Sequence, residues 1–177
     1  MTAKDKQTEF IKTYLKPTLK SHDYRTSGQT WWKNMGDFFV VINLQNSQFN
    51  SKEELSFCLN IGVALTEKLA DKEKKKATLF DIATELREDA YLTEDRKQLK
   101  KFKGGWLGYK ITDTTNTSDF IADFKIDLED NILMRLDQLK TLNDCVVFYE
   151  KFDYWGDNLK RQIKECGLKL LDTNACP

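Results

Sequence analysis

Asp123 and Asp127 stand four residues apart in a stretch of helical periodicity, which places two carboxylates one turn apart on one helix face. Such a pair does acid–base work in a hydrolase or transferase when a cleft drives the two pKa values apart. Asp119, Glu129 and Asp130 spread the acidity further along the same segment, which is the pattern of a solvated face. A second candidate is the basic segment Arg96–Lys103, where Arg96, Lys97, Lys100, Lys101 and Lys103 are interleaved with Phe102 and followed by Trp106. Charge and stacking surface together suit a single nucleic-acid strand. Glu94 and Asp95 adjoin that segment, however, which favours an exposed turn or helix end and makes nucleic acid an unlikely partner. His22 is the only histidine, so a nucleophile–histidine arrangement would have to use it, and no nucleophile motif surrounds it. A surface or helix-cap role suits it better. No His, Cys and carboxylate spacing resembles a metal site, and Gly104-Gly105-Trp106-Leu107-Gly108 has the wrong spacing for a phosphate loop. Neither metal nor cofactor is expected, and an enzyme is the less favoured reading.

A different chemistry stands out between residues 30 and 65. Phe38, Val40, Ile42 and Leu44 alternate with Phe39, Val41, Asn43 and Gln45. Leu55, Phe57, Leu59, Ile61, Val63 and Leu65 alternate with Ser56, Cys58, Asn60, Gly62 and Ala64. Two strands with one wholly apolar face follow from this period of two. If Lys33 pairs with Phe38, Trp31 shares the core face and Trp32 falls on the other, with Asn43, Gln45, Asn60 and Gly62. That second face combines aromatic surface, amide donors and acceptors, and a small residue that leaves room. It suits recognition of a protein surface or a small polar ligand. Amides are poor strand formers, so Asn43, Gln45 and Asn60 either fix register by bonding each other or a nearby loop, or wait for a ligand.

The elements that position these residues can be read from the periodicity. Phe10, Ile11, Tyr14, Leu15 and Leu19 make an N-terminal helix with a kink or restart at Pro17. Glu67 to Lys76 reads as a solvated connection, and Leu79, Ile82, Ala83 and Leu86 as a short helix with Thr78 and Asp81 as its capping box. Trp106 to Ile111 reads as a strand. A long helix capped by Ser118 runs to Leu139, another covers Asp144 to Phe152, and a last one begins at Asp157 and ends before Gly167. The fold class is α+β: an antiparallel sheet of about four to five strands, with the N-terminal and C-terminal helices packed mainly on one face.

The 177 residues carry 28 basic and 28 acidic side chains, and this neutrality supplies no global pull toward nucleic acid or an anionic membrane. With 8 Gly and 2 Pro the chain is neither low-complexity nor a linker, and its length suits one domain spanning residues 1–177. There is no apolar stretch of membrane-spanning length and no signal-peptide pattern at Met1 to Gln7, so the expectation is a cytoplasmic protein. Cys58, Cys145, Cys166 and Cys176 are scattered singles, as core thiols are in a reducing compartment.

Leu15-Lys16-Pro17, Thr30-Trp31-Trp32, Val41 to Ser47 and Phe57 to Val63 together resemble the bacterial family known as domain of unknown function 4304. In that family a strand ending in isoleucine-asparagine-any-glutamine-any-serine precedes one ending in asparagine-any-glycine, matched here by Asn43, Gln45, Ser47, Asn60 and Gly62. A later tryptophan segment is represented only by Trp106, and Glu67 to Lys103 diverges from the pattern. The resemblance implies an α+β domain without established activity, and antitoxin or immunity roles like those of similar small domains. The expected site is therefore a binding surface made of Trp32, Asn43, Gln45, Ser47, Asn60 and Trp106, with another protein as partner.

Overall fold

The computed structural model describes residues 1–70, 76–102 and 108–170, with residues 101 and 102 as backbone only. The first helix starts where the Thr2 hydroxyl accepts the Asp5 N–H and the Asp5 carboxylate accepts the Thr2 N–H, a reciprocal cap. α1 (Ala3–Phe10) passes through a π-helical turn (Ile11–Leu15) into α2 (Lys16–Ser21). The wide turn comes just before Pro17, which has no N–H to donate, so the helix continues there instead of restarting. Phe10, Leu15 and Leu19 face the core with no exposed surface.

Six strands follow among the described residues, β1 (Arg25–Ser27), β2 (Thr30–Asn34), β3 (Phe38–Asn46), β4 (Glu54–Leu65), β5 (Ile82–Arg87) and β6 (Tyr109–Thr112). All pair antiparallel in the order β1-β2-β3-β4-β5, and β6 pairs with β4. β3 lines one side of β4, so β5 and β6 share the other, β5 along Asn60–Ala64 and β6 along Glu54–Phe57. Lys33 lies opposite Val40, not Phe38. The turn is tighter than expected, with Met35 N–H donating to the Phe38 carbonyl and Gly36 at φ 95° as its first central residue. The shift is two residues, so every side chain keeps the face that alternation assigns it.

The segment read as a helix at Leu79–Leu86 is instead a 3-10 turn (Leu79–Asp81), with the Thr78–Asp81 capping box, leading into β5. A bulge explains the misreading. The β4–β5 register slips between Val63 and Ala64, which lie opposite Thr84 and Ile82, so Ala83 is an extra residue. It resets the alternation, and the spacing 79, 82, 83, 86 then imitates a helical period.

The helices are α3 (Glu94–Phe102), α4 (Thr117–Asp127), α5 (Met134–Leu136), α6 (Leu142–Tyr149) and α7 (Asp153–Glu165), with a π-helical stretch (Leu128–Leu133) joining α4 to α5. Asn116, not Ser118, caps α4; its side chain accepts the N–H groups of Ser118 and Asp119. α7 starts at Asp153, four residues before the expected Asp157, and Gly167 follows its end at φ 67°. One core joins Trp31, Val40, Ile42, Leu59 and Ile61 of the sheet to Phe10, Phe124, Ile132 and Leu159 of the helices. A smaller cluster on the opposite face holds Trp32, Phe39, Val41 and Ala64 beneath Leu69 and Ala77. The Glu67–Lys76 connection thus contributes one buried residue to that cover, with Ala77 beyond it; residues 71–75 lie outside the described part. No helix among the described residues is long and apolar enough to cross a membrane.

Candidate functional site

On the sheet face away from the main core, Leu69 and Ala77 lie over Trp32, and β3 carries Asn43 and Gln45, and β4 Asn60, farther along that face. There Asn60 Nδ2 donates to Gln45 Oε1 at 2.8 Å. β5 approaches β4 closely because Gly62 has no side chain; a Cβ there would lie 2.3 Å from the Thr84 carbonyl oxygen and 2.6 Å from Ile82 Cγ2. The room that glycine was expected to leave for a ligand is thus filled by the neighbouring strand. α7 packs against the outer edge of β5. Asn158 Nδ2 and Gln162 Nε2 donate to the Ala83 carbonyl, and the Thr84 hydroxyl donates to the Trp155 carbonyl at 3.0 Å.

Between these elements lies a groove of about 530 Å³. Gln45 and Asn60 line it from the sheet face, Trp155 and Asn158 from α7, and Leu79, Ile82 and Leu86 give it apolar surface. Glu85, Arg87 and Asp89 also line it, and none of the three makes an ion pair among the described residues.

Two of the six residues expected at a binding surface therefore come together, Gln45 and Asn60. Trp32 is buried in the smaller cluster, its indole N–H without a partner among the described residues and the Lys76 ammonium 5.6 Å from its ring centre. Asn43 donates to Thr30 Oγ1 at 2.9 Å and to the Gln29 carbonyl at 3.3 Å, pinning the start of β2. Ser47 shapes the β3–β4 turn, its hydroxyl accepting the Phe49 N–H. Trp106 lies outside the described residues. Glu85 was missed because Leu79–Leu86 was read as a helix, and Arg87 and Asp89 because they follow it; as a strand, Glu85 and Arg87 would have shared the face of Asn60 and Gly62, their partners across the ladder. Trp155 and Asn158 had no local signal.

The other candidate chemistry gathers in one place. Arg96 Nε donates to Asp127 Oδ1 at 2.6 Å and Nη1 to Asp123 Oδ1 at 3.1 Å, so the basic segment and the carboxylate pair neutralise each other. Tyr109 OH donates to Asp127 Oδ2 at 3.1 Å. Lys100 reaches Glu88 Oε1 at 3.4 Å, Asp127 Oδ2 at 3.9 Å and the Tyr109 ring centre at 3.7 Å. Glu88 is fully buried, and its position has a clear cause. Cys58 and Leu59 fall between the stretches of β4 paired to β5 and β6, and the Glu88 carboxylate accepts the Leu59 N–H at 2.8 Å. Burial pushes the Glu88 carboxyl above its ordinary value, opposed by the Lys100 ammonium and the Leu59 N–H. Both Asp127 oxygens are occupied, which leaves this carboxylate poorly placed for proton transfer. Lys97 pairs with Glu94 at 2.7 Å, so three cations of the basic segment already have partners; Lys103 lies outside the described residues.

His22 caps the end of α2, its Nδ1 3.1 Å from the Asp137 carboxylate that also takes Lys33. Cys58 and Cys145 are buried free thiols, and burial pushes Cys145 up to about 12. Among the described residues no cluster of three or more His, Cys, Asp or Glu is placed to hold a metal. No curated protein and no solved structure matches the chain. Residues 15–138 match a family model, taking in the amide-bearing strands, the β5 edge of the groove, Glu88 and Lys100, though not α7. The chain therefore belongs to the family described as a domain of unknown function, DUF4304.

Proposed function

We propose that this chain is a binding module that recognises another protein through the groove between β5 and α7. The observation that carries the reading is the charge at that groove: Glu85, Arg87 and Asp89 are unpaired among the described residues, beside the amides of Gln45, Asn60 and Asn158. Charged and amide groups orient a partner, and apolar and aromatic surface supplies contact area. Phe80, 97% exposed, and Tyr154, 69% exposed, neighbour the lining residues Leu79 and Trp155 in the chain, and large exposed aromatic side chains are of the kind that dominates interface energies. A cytoplasmic immunity-type protein that blocks a toxin is one form of this function, and it calls for a one-to-one complex that silences the partner.

The test is capture of partners from the native host by wild type and by Arg87→Glu, followed by mass spectrometry and stoichiometry. A protein recovered one-to-one by wild type and lost with Arg87→Glu is the expected result. Absence of any stoichiometric partner, or equal recovery by both chains, would overturn the reading.

A further inference from the structure

Resting on that reading, we infer that the groove takes an extended polypeptide segment as an additional antiparallel strand beside β5. Backbone groups of alternate residues in an antiparallel ladder face the partner strand, and those between face away. The Thr84 carbonyl oxygen lies against Gly62, so Thr84 and, two residues on, Leu86 face β4. Glu85 and Arg87 then turn theirs outward. At the near end this edge is closed, because the Ala83 carbonyl is taken by Asn158 and Gln162. At the far end the 3-10 turn Glu88–Tyr91, for which Arg87 is the N-cap, takes over. Between them the N–H and C=O of Glu85 and the N–H of Arg87 turn away from β4 with no hydrogen bond to another part of the described chain, and both residues line the groove. Another backbone is the ligand that satisfies such groups, and α7 forms the second wall, as a helix beside an open strand edge does in strand-addition sites.

The side chains define the sequence that fits. A residue opposite Glu85 exchanges two backbone bonds with it and places its side chain beside the Glu85 carboxylate, so it is basic. In antiparallel sense the residue two earlier lies opposite Arg87 and is acidic. Each cross-strand pair of opposite charge adds a fraction of the binding free energy. The preferred segment is acidic-any-basic, flanked by β-branched residues that meet Ile82, Leu86 and Trp155.

Fluorescence anisotropy with the full chain and a labelled peptide Thr-Val-Glu-Val-Lys-Val-Thr tests this. That peptide is expected to bind about tenfold tighter than its charge-reversed partner Thr-Val-Lys-Val-Glu-Val-Thr. The double variant E85K/R87E should invert the preference, and N-methylation of the lysine amide, which leaves the protein untouched, should abolish binding. Equal binding of both peptides, unchanged preference in the double variant, insensitivity to N-methylation, or no binding at millimolar peptide would each overturn strand addition. If the chain still captures a protein in an Arg87-dependent way, the binding function stands and only this mode fails. If it captures none, the function itself fails whatever the peptides do.

Discussion

Residues 85 to 89 belong to two regions with opposite uses of charge. Glu85, Arg87 and Asp89 line the groove and carry no ion pair among the described residues; Glu88, between two of them, is fully buried with Lys100 and the Leu59 N–H as partners. Strand alternation and the turn after it throw neighbouring side chains to opposite sides. On one side an ionised group is tolerable only if compensated, because desolvation costs several kcal/mol. On the other, water solvates it and it stays available. Charge buried with a partner ties β4 to the segment that follows β5, whereas Glu85, Arg87 and Asp89 stay in contact with water, and the proposed binding function rests on them.

Asp127→Ala should have the largest effect, because it strips the part-buried Arg96 and the Lys100 ammonium of a buried counter-charge. Chemical denaturation should show a loss of about 3–5 kcal/mol; a loss below about 1 kcal/mol would mean that the ion cluster does not hold the fold. Gly62→Ala comes next. Its methyl would collide with the Thr84 carbonyl and Ile82, and a cost of about 1–3 kcal/mol is expected, with weakened hydrogen-exchange protection confined to β5.

A third effect is pH-dependent. Because the folded Glu88 carboxyl titrates above its unfolded value, the native state binds the extra proton between those two values. Stability therefore falls as pH rises through that window, and it is fully present below the unfolded value. Glu88→Gln should remove this component, so that urea midpoints of wild type decline more than those of the variant as pH is raised from the ordinary glutamate range; parallel profiles would contradict the assignment. Asn60→Ala should cost about 1 kcal/mol, since its partner Gln45 is exposed and water replaces the lost bond. Midpoints equal to wild type would remove the register-fixing role of this amide. Smallest of all, Arg87→Ala should stay within about 0.5 kcal/mol of wild type in stability while partner capture drops. A large stability loss there would place Arg87 with the structural charges after all.

The legible parts of the sequence were those governed by local periodicity. The faces of β3 and β4 were readable because burial of one side demands alternation, and even a two-residue register shift leaves those faces unchanged. The amide pair was readable for the same reason: Gln45 and Asn60 break apolar runs on one face, and they do meet. β5 was not readable, because one extra residue at Ala83 replaces a period of two by spacings of three and four. The ion cluster was not readable either. Arg96 and Asp127 are 31 residues apart, and each alone looks like a solvated charge on a helix.

The residues alone thus specify an antiparallel sheet with one apolar face, helices to cover it, and a set of amides on the other face. What covers each part of that second face is set by how distant segments pack. Leu69 and Ala77 cover Trp32, while Gln45 and Asn60 remain at the groove beside β5 and α7. The reason is physical: alternation states which side of a strand a residue occupies, but what lies over that side depends on where distant segments pack. Where packing buries charge, as at Asp127 and Glu88, it also has to supply the partner.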